Sequence, residues 1–460
     1  MSRKNLREDA LAIWNVGVDA VRPSQLFRET MQVAPPLLRF ADIEFDLRSM
    51  NRLLIVGAGK ASAAMADALQ RQLPESWFKS QRVGGWVNVP EGTKPIGYDF
   101  PVTIHEARPA GLNEPTEQGI LGSREILRLV ANCSADDLVI CLLSGGASAL
   151  LPLPLPEVSL TDKQAITRAL SAAGATIEEL NTVRIALSQI KGGQLARACR
   201  AKRMLTLVIS DVLGDDLRFI GSGPTFSSAP PEPTAGQILD RYARCGMVVP
   251  AAVWDVVKSV SIPGKRTAPS LLSKGKCQVE HLILANNATA VDAAGVEAVA
   301  RGYRYLMSSA RRSEGDATLL GRELVERCTE WAGDPEAPDC LISGGEPTVT
   351  LAPAGTRGRG GRNQQLVLAA LQRRHELIAG DSVASPLCFL SGGTDGEDGP
   401  TDVAGAWFDA TIEPELASLA MQMADSLTRN DAYSFFERHG GHLRTGPTGT
   451  NVCDLRVVVW

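Results

Sequence analysis

The sequence predicts an α/β fold built as two domains, each a mostly parallel sheet with helices on both faces, with an active site in the cleft between them. Three observations carry this. Short apolar runs rich in β-branched residues alternate with longer helix-favouring runs, the pattern of βαβ units. A Pro-rich stretch, "GPTFSSAPPEPT" at 223–234, interrupts the alternation, which then resumes, so residues 1–245 and 246–460 read as separate domains. Three apolar strands, in "DLVICLLSGGASAL", "DCLISGGEPTVT" and "LCFLSGGTDGED", end on the same Ser-Gly-Gly turn, at the strand ends where open α/β sheets bind ligands.

In the first block, strands are expected at 53–57, 83–89, 102–105, 137–143 and 204–210. Helices are expected there at 60–72, 114–131, 161–173 and 181–200, the last interrupted near Gly192-Gly193. The second block offers strands at 281–285, 303–307, 338–342, 386–390 and 453–459, and helices at 287–301, 314–331, 362–376 and 430–438. The N-terminus, "MSRKNLREDALAIW", is charged and then amphipathic, unlike a signal peptide or an anchor.

Composition excludes several classes. Of 460 residues, 44% are hydrophobic and 22% charged, ordinary for a soluble globular protein. A net charge of −5 gives no support to nucleic-acid binding or a basic membrane patch, and no apolar run reaches the length of a membrane span. Nine cysteines, an odd number with no CxxC pair, fit a reduced cytoplasmic protein. Cys141, Cys340 and Cys388 fall inside expected buried strands, where cysteine acts as a small hydrophobe. Among five histidines the one metal-ligand spacing, His439 and His442, is weak.

The strand–turn–helix "RLLIVGAGKASAAMADAL" places Gly57, Gly59 and Lys60 at a helix entrance, where outward-pointing N–H groups attract anions. It is not a dinucleotide fingerprint: Ser62 stands where the third glycine belongs, and the next strand offers Asn88 in place of an acid. Nor is it a P-loop, since Leu54 occupies the position of its first glycine. Lys60 opposes the helix dipole there, so it is either a solvated surface lysine or the partner of an anionic ligand. Ser144, Gly145, Gly146 and Ser148 of the first Ser-Gly-Gly turn join Gly57 and Gly59 as candidate nucleotide contacts.

Arg184 and Lys191 share one face of the expected 181–200 helix, a pattern that a solvated face also explains. Asp211 directly follows a strand, and Asp215 follows Gly214; carboxylates at such an exit suit Mg²⁺, while a helix cap is the alternative for Asp215. In "GTRGRGGRNQQLVLAAL", Arg362 and Asn363 fall at a helix entrance. Asp395, Asp398 and Asp402 lie among glycines without EF-hand spacing, and one of them can serve as a general base. Thr448, Thr450 and Asn451 precede the last strand as candidate phosphate or hydroxyl ligands. Cations, carboxylates and helix-entrance turns, with no histidine dyad, fit phosphoryl transfer; the absence of GxSxG speaks against a Ser-His-Asp hydrolase.

The ordered set "VGAGKASAAMA", "SDVLGDDLRFIGSGPT", "SGGEPTVT", "GRGGRNQQL", "GGTDGEDGPTDVAGA" and "TGPTGTNVCDLRVVV" resembles the class II glycerate 2-kinases that carry a C-terminal MOFRL region. The resemblance implies a Rossmann-like N-terminal domain and an ATP- and Mg²⁺-dependent kinase that converts D-glycerate to 2-phosphoglycerate. It places the family's lysine on Lys60, its arginine on Arg362, its carboxylate on Asp395 and its last motif on Asn451. A homodimer is an assembly this reading allows. Some members of the family carry the name hydroxypyruvate reductase, but the opening motif argues against a nicotinamide site. Two segments depart from the family pattern. Ala107-Arg108-Pro109-Ala110-Gly111 replaces a Gly-His-Pro-x-Pro run, and Arg184-Ile185-Ala186 replaces Arg-Lys-His. If both segments line the acceptor pocket, a gained arginine and a more apolar wall suit a longer or less hydroxylated 2-hydroxy acid; if one or both lie outside it, glycerate remains the acceptor.

Overall fold

The computed structural model describes residues 5–227, 232–260, 277–379, 385–411 and 416–460. Part of the Pro-rich stretch, 228–231, lies outside the described residues. The chain forms two compact units. One comprises Leu26–Ser210 and Asp215–Leu284; the other gathers the chain up to Gln25, Asp211–Gly214 and Ala285–Trp460. The expected division at 245/246 falls between two helices of the first unit, Ala235–Arg244 and Ala251–Val260. That unit runs on because a strand beyond the Pro-rich stretch completes its sheet.

The first unit opens with a small antiparallel meander, β1 (Met31–Ala34), β2 (Leu37–Phe40) and β3 (Ile43–Asp46), whose four-residue strands are too short to register as a pattern. Its main sheet comprises β4 (Leu53–Ala58), β5 (Val83–Pro90), β6 (Val102–Arg108), β7 (Leu138–Leu143), β8 (Arg203–Ile209) and β9 (Gln278–Ala285), in the order β6-β5-β4-β7-β8-β9. The pairs from β6 through β8 are parallel, as the alternation predicts. β4 and β7 are buried throughout, which explains their unbroken apolar runs. In register, Ala58 of β4 lies beside Leu143 of β7, so the Gly59–Ser62 and Ser144–Ser148 turns leave the sheet side by side. A separate apolar cluster joins helices Leu160–Ala172, Ile177–Ala186, Ala235–Arg244 and Ala251–Val260 through Ile166, Leu170, Val183, Ile238 and Val253.

The second unit is also α/β, but its sheet is mixed and not mostly parallel. Its strands are β10 (Tyr305–Ser309), β11 (Cys340–Gly345), β12 (Cys388–Gly393), β13 (Gly405–Phe408), β14 (His442–Leu443) and β15 (Asp454–Val459), in the order β10-β11-β15-β12-β13-β14. Only β10 and β11 pair in parallel; β15 runs antiparallel between β11 and β12, and the β13 and β14 pairings are antiparallel too. The chain end inserts as a central strand, and strand direction leaves no trace in hydrophobic periodicity. This reversal brings the start of β15 to the ends of two other strands: Asp454 pairs with both Gly345 and Gly393.

Both faces of this sheet are covered. Leu341, Phe389 and Val458 pack with helices Ala317–Trp331 and Arg362–Ala379, while Ile342, Leu390 and Val457 meet helices Leu6–Ala20 and Asn287–Ala300. The N-terminal helix thus belongs to the C-terminal unit, and the Trp14 indole donates to the Leu455 carbonyl at 3.1 Å. No helix among the described residues is long and apolar enough to cross a membrane.

Candidate active site

The turn after β4 differs from the anion cradle its glycines suggest. Each N–H along it is donated within the protein: Gly59 to the Asn88 carbonyl (3.2 Å), Lys60 to the Gly145 carbonyl (2.8 Å), Ala61 to Ser144 Oγ (2.9 Å) and Ser62 to the Gly59 carbonyl (3.3 Å). The glycines serve close packing. A Cβ at Gly57 would strike the Leu142 carbonyl, and one at Gly59 (φ 148°) would strike Ser144 Oγ. Lys60 stands one residue before Ala61, the N-cap of helix Ser62–Gln70.

The neighbouring Ser144-Gly145-Gly146 turn is the open one. Gly146 has a left-handed φ of 78°, and a Cβ there would meet only Arg108 Nη2 at 3.5 Å and Lys60 Cγ at 3.6 Å within contact range. Two cationic side chains therefore border one open glycine. Arg108 is buried and is held by its own loop, Nη1 donating to the carbonyls of Pro109 and Leu112.

Ser148, one turn further, leads to Lys191. The expected helix over 181–200 is two helices, Ile177–Ala186 and Gln194–Ala198, because Gly192 and Gly193 take φ of 61° and 80°. Lys191 is accordingly not on the solvated face its spacing allows but fully buried. Its Nζ donates to the Ser148 carbonyl (2.8 Å), Ser148 Oγ (2.9 Å) and the Gly221 carbonyl (3.3 Å). Ser148 Oγ lies 3.0 Å from Ser222 Oγ, which donates to Asn181 Oδ1 at 2.9 Å. Ser222 takes a left-handed φ of 63°, uncommon for a residue with a Cβ. Burial, with the charges of Lys163 and Arg184, holds the Lys191 pKa well below the usual lysine range.

In the other unit, Arg362 meets the acid after the end of β11 and the acid at the start of β15. Nε and Nη2 donate to the two carboxylate oxygens of Asp454 (2.7 and 3.0 Å), and Nη1 donates to Glu346 (2.8 Å). Burial opposes the Arg362 charge, yet Asp454 and Glu346 outweigh it and raise its pKa. Burial pushes the Glu346 carboxyl up against the pull of Arg362. Asn451 donates to Asp211 Oδ2 at 3.2 Å, and the Cys453 thiol donates to the Asp211 carbonyl at 3.0 Å. A pocket of about 540 Å³ opens here, lined by Glu346, Arg362, Gln365, Leu213 and Val349 among others.

The three clustered aspartates separate by role. Asp398 is buried and accepts the N–H groups of Asn363 and Gln364 at the entrance of helix Arg362–Ala379, at 3.0 and 2.9 Å. Burial raises its pKa to about 6 despite those bonds. Asp402 is committed to Tyr433 and Arg444 at 2.7 Å each. Asp395 follows the β12 turn, its Oδ1 accepting from the Glu397 N–H at 3.0 Å and its carbonyl from Thr448 at 3.2 Å.

Asp215 belongs to the first unit and has a left-handed φ of 57°; no helix begins there for it to cap. Among the described residues no three His, Cys, Asp or Glu side chains are grouped to hold a metal. Mg²⁺ carried with a nucleotide needs only one or two protein carboxylates, and the Asp211 carboxylate lies in the second unit. His439 and His442 pair separately with Gln422 and with the Tyr433 carbonyl. All nine cysteines are free of disulfides, with Cys141, Cys340 and Cys388 buried as their strands require.

Gly57, Gly59, Lys60, Ser144, Gly145, Gly146 and Ser148 thus gather in the first unit, and Asp211, Arg362, Asp395 and Asn451 in the second. Sequence reasoning passed over Asp454, Lys163, Asn181 and Ser222. For Asp454 there was a signal, a lone acid opening an otherwise apolar strand.

Comparison with known proteins finds relatives along the whole chain. Residues 9–258 match the family described as Domain of unknown function (DUF4147), and residues 339–454 match the MOFRL family. A glycerate kinase from Mus musculus is 36% identical, the alignment covering 99% of this chain and 93% of that protein. A relative from Agrobacterium vitis that carries the name hydroxypyruvate reductase is 36% identical over 90% of this chain and 88% of its own. The crystal structure of a glycerate kinase from Thermotoga maritima superimposes with a TM-score of 0.76 at 32% identity, covering 99% of each chain. The chain belongs to the glycerate kinase family that carries the MOFRL region.

Proposed function

We propose that this protein is an ATP-dependent kinase that phosphorylates the 2-hydroxyl of D-glycerate, giving 2-phosphoglycerate. The observation that carries the reading is the convergence of Lys60 and Arg108 on the open Gly146 of the Ser-Gly-Gly turn. Two cations beside the partly exposed Gly146 suit an anionic phosphoryl group, whose transfer depends on positioning and charge neutralisation.

Bound Mg-ATP supplies the transferable phosphoryl group. Lys60 and Arg108 neutralise negative charge above Gly146, while Gly57 and Gly59 keep the adjoining turn packed against Ser144. Ser148 is fixed by Lys191 beside that turn. In the second unit, Arg362 holds Glu346 and Asp454 in place, and Asp395 takes the proton from the acceptor hydroxyl. Asp211, oriented by Asn451, is the carboxylate of the second unit offered to Mg²⁺. We place the protein in the cytoplasm.

The reductase reading is weaker for a specific reason. A dinucleotide site needs an acid at the end of the second strand for the ribose hydroxyls. Asn88 stands there instead, buried, donating to the Leu150 carbonyl at 2.8 Å and accepting from the Trp86 indole at 3.0 Å. The deciding experiment measures ADP formation with D-glycerate, assigns the phosphorylated carbon by NMR, and follows NADH and NADPH oxidation with hydroxypyruvate. Phosphate on the 2-oxygen supports the proposal; phosphate on the 3-oxygen, or nicotinamide turnover without ADP, overturns it.

A further inference from the structure

Helix Leu160–Ala172 buries a lysine that no hydrogen bond satisfies. Lys163 is 2% exposed, and its Nζ has no partner within the protein. A buried ammonium is costly unless a counter-charge reaches it. The charged groups facing it from the packed elements are cations, Arg184 on helix Ile177–Ala186 and Lys191 in the turn that follows. Among the described residues no carboxylate is ion-paired with any of the three. Burial and the charge of Arg184 lower the Lys163 pKa to about 7, and burial lowers that of Arg184. Three neighbouring cations without an acid are incomplete as a structural ion-pair network. They are complete once an anion enters.

The surrounding neutral groups narrow the chemistry of that anion. Asn181 sits one turn before Arg184 on the same helix and accepts from Ser222 Oγ, which lies 3.0 Å from Ser148 Oγ. The three hydrogens of Lys191 are matched by its bonds to the Ser148 carbonyl, Ser148 Oγ and the Gly221 carbonyl. Lys191 therefore positions Ser148 and adds charge, while Lys163 and Arg184 remain to meet a ligand. Hydroxyl and amide groups beside a pair of cations match a small acid bearing hydroxyls. A phosphoryl group is already served by Lys60 and Arg108 two residues earlier, at Gly146.

We propose that Lys163 and Arg184 form the carboxylate subsite for the acceptor acid, with Ser148, Ser222 and Asn181 placed beside it for the acid's hydroxyls. The assignment rests on the kinase reading, which it extends by giving the acceptor a place in the first unit. Lys191 acts as a positioning residue.

The test uses the full chain and two variants, Lys163→Met and Arg184→Gln. Calorimetric binding of D-glycerate, with glycerol as the carboxylate-free control, is measured without nucleotide. The natural protein is expected to bind D-glycerate and not glycerol, and each variant to weaken D-glycerate binding tenfold or more. In steady state the KM for D-glycerate rises by a similar factor while the KM for ATP stays put. Unchanged D-glycerate affinity in both folded variants overturns the subsite, as does a rise in the KM for ATP alone, which would make the cluster a nucleotide-phosphate site. Binding that is lost in the variants, in a protein that forms no ADP, would sink the kinase reading and uphold the subsite. Normal ADP formation with an unchanged D-glycerate KM would do the reverse.

Discussion

Arg362 grips Asp454 side-on, with Nε and Nη2 at 2.7 and 3.0 Å from its two carboxylate oxygens. The Asp454 side chain is fully buried and also accepts from Asn363 Nδ2 at 3.0 Å. An arginine so engaged acts first as the counter-ion of a buried acid.

Arg362→Lys should therefore damage stability as well as turnover. Lysine keeps the charge but cannot reproduce two parallel hydrogen bonds. Arg362→Met should cost about 3 kcal/mol or more, the usual scale for leaving a buried charge uncompensated. Urea denaturation of the two variants checks this. Curves superimposable on the natural protein would show that Asp454 does not depend on Arg362.

Lys60 should behave in the opposite way. It is half-buried beside the open Gly146, and the backbone of its turn is held by Asn88, Gly145 and Ser144 whatever its side chain. Lys60→Met should keep the melting temperature nearly unchanged and lower turnover by about a hundredfold or more, the scale of losing a transition-state charge contact. Turnover within a few fold of normal would remove Lys60 from the chemistry.

The contrast between these residues marks what the sequence made legible. Strand existence was readable because β4, β7, β11 and β12 are buried on both faces and carry unbroken apolar runs. Strand direction was not, since β15 has the same hydrophobic signature whichever way it runs. Glycine-rich turns were correctly placed at strand ends, but their function was not readable from composition. At Gly59 the missing side chain makes room for Ser144; at Gly146 it leaves an open edge. Lys163 was hidden by its neighbours in "LTDKQAITRAL", which read as a helix with a polar start. The overlooked signal was its spacing: Lys163 precedes the buried Ile166 and Leu170 by one and two turns, on their stripe.

The acids of the second unit give a third prediction. Asp395 follows the β12 turn, whereas Asp211 is held by Asn451 and backs onto the Cys453 thiol. If Asp395 takes the acceptor's proton, Asp395→Asn lowers kcat by about a hundredfold or more with little change in ATP affinity. Asp211→Asn instead raises the Mg²⁺ concentration needed for half-maximal rate. Rates are measured across a Mg²⁺ titration, and identical midpoints for the two variants would refute the division of roles.

The last prediction concerns the pH dependence of stability at Lys163, whose pKa falls from 10.5 to about 7 in the folded chain. At pH above both values the amine is neutral in folded and unfolded chains, and the site costs nothing. As pH falls from about 10 toward 7, the unfolded chain takes up a proton that the folded chain refuses, so stability declines across that window. Below about 7 both states carry the charge and the penalty is constant. Lys163→Met removes the group and with it the penalty. The variant should then be more stable than the natural protein at pH 7, by a few kcal/mol at most, since each pKa unit is worth about 1.4 kcal/mol. The advantage should shrink steadily toward pH 10. Lys191, whose pKa the Lys163 charge helps to lower, is relieved in the variant and shifts the difference in the same direction, while groups not coupled to Lys163 cancel. Urea unfolding at pH 7, 8.5 and 10 measures it, and a difference that does not vary with pH would mean that the Lys163 pKa is not displaced. Saturating D-glycerate should close the gap at pH 7, because a ligand that binds only the natural fold tightly restores what the unpaired ammonium costs.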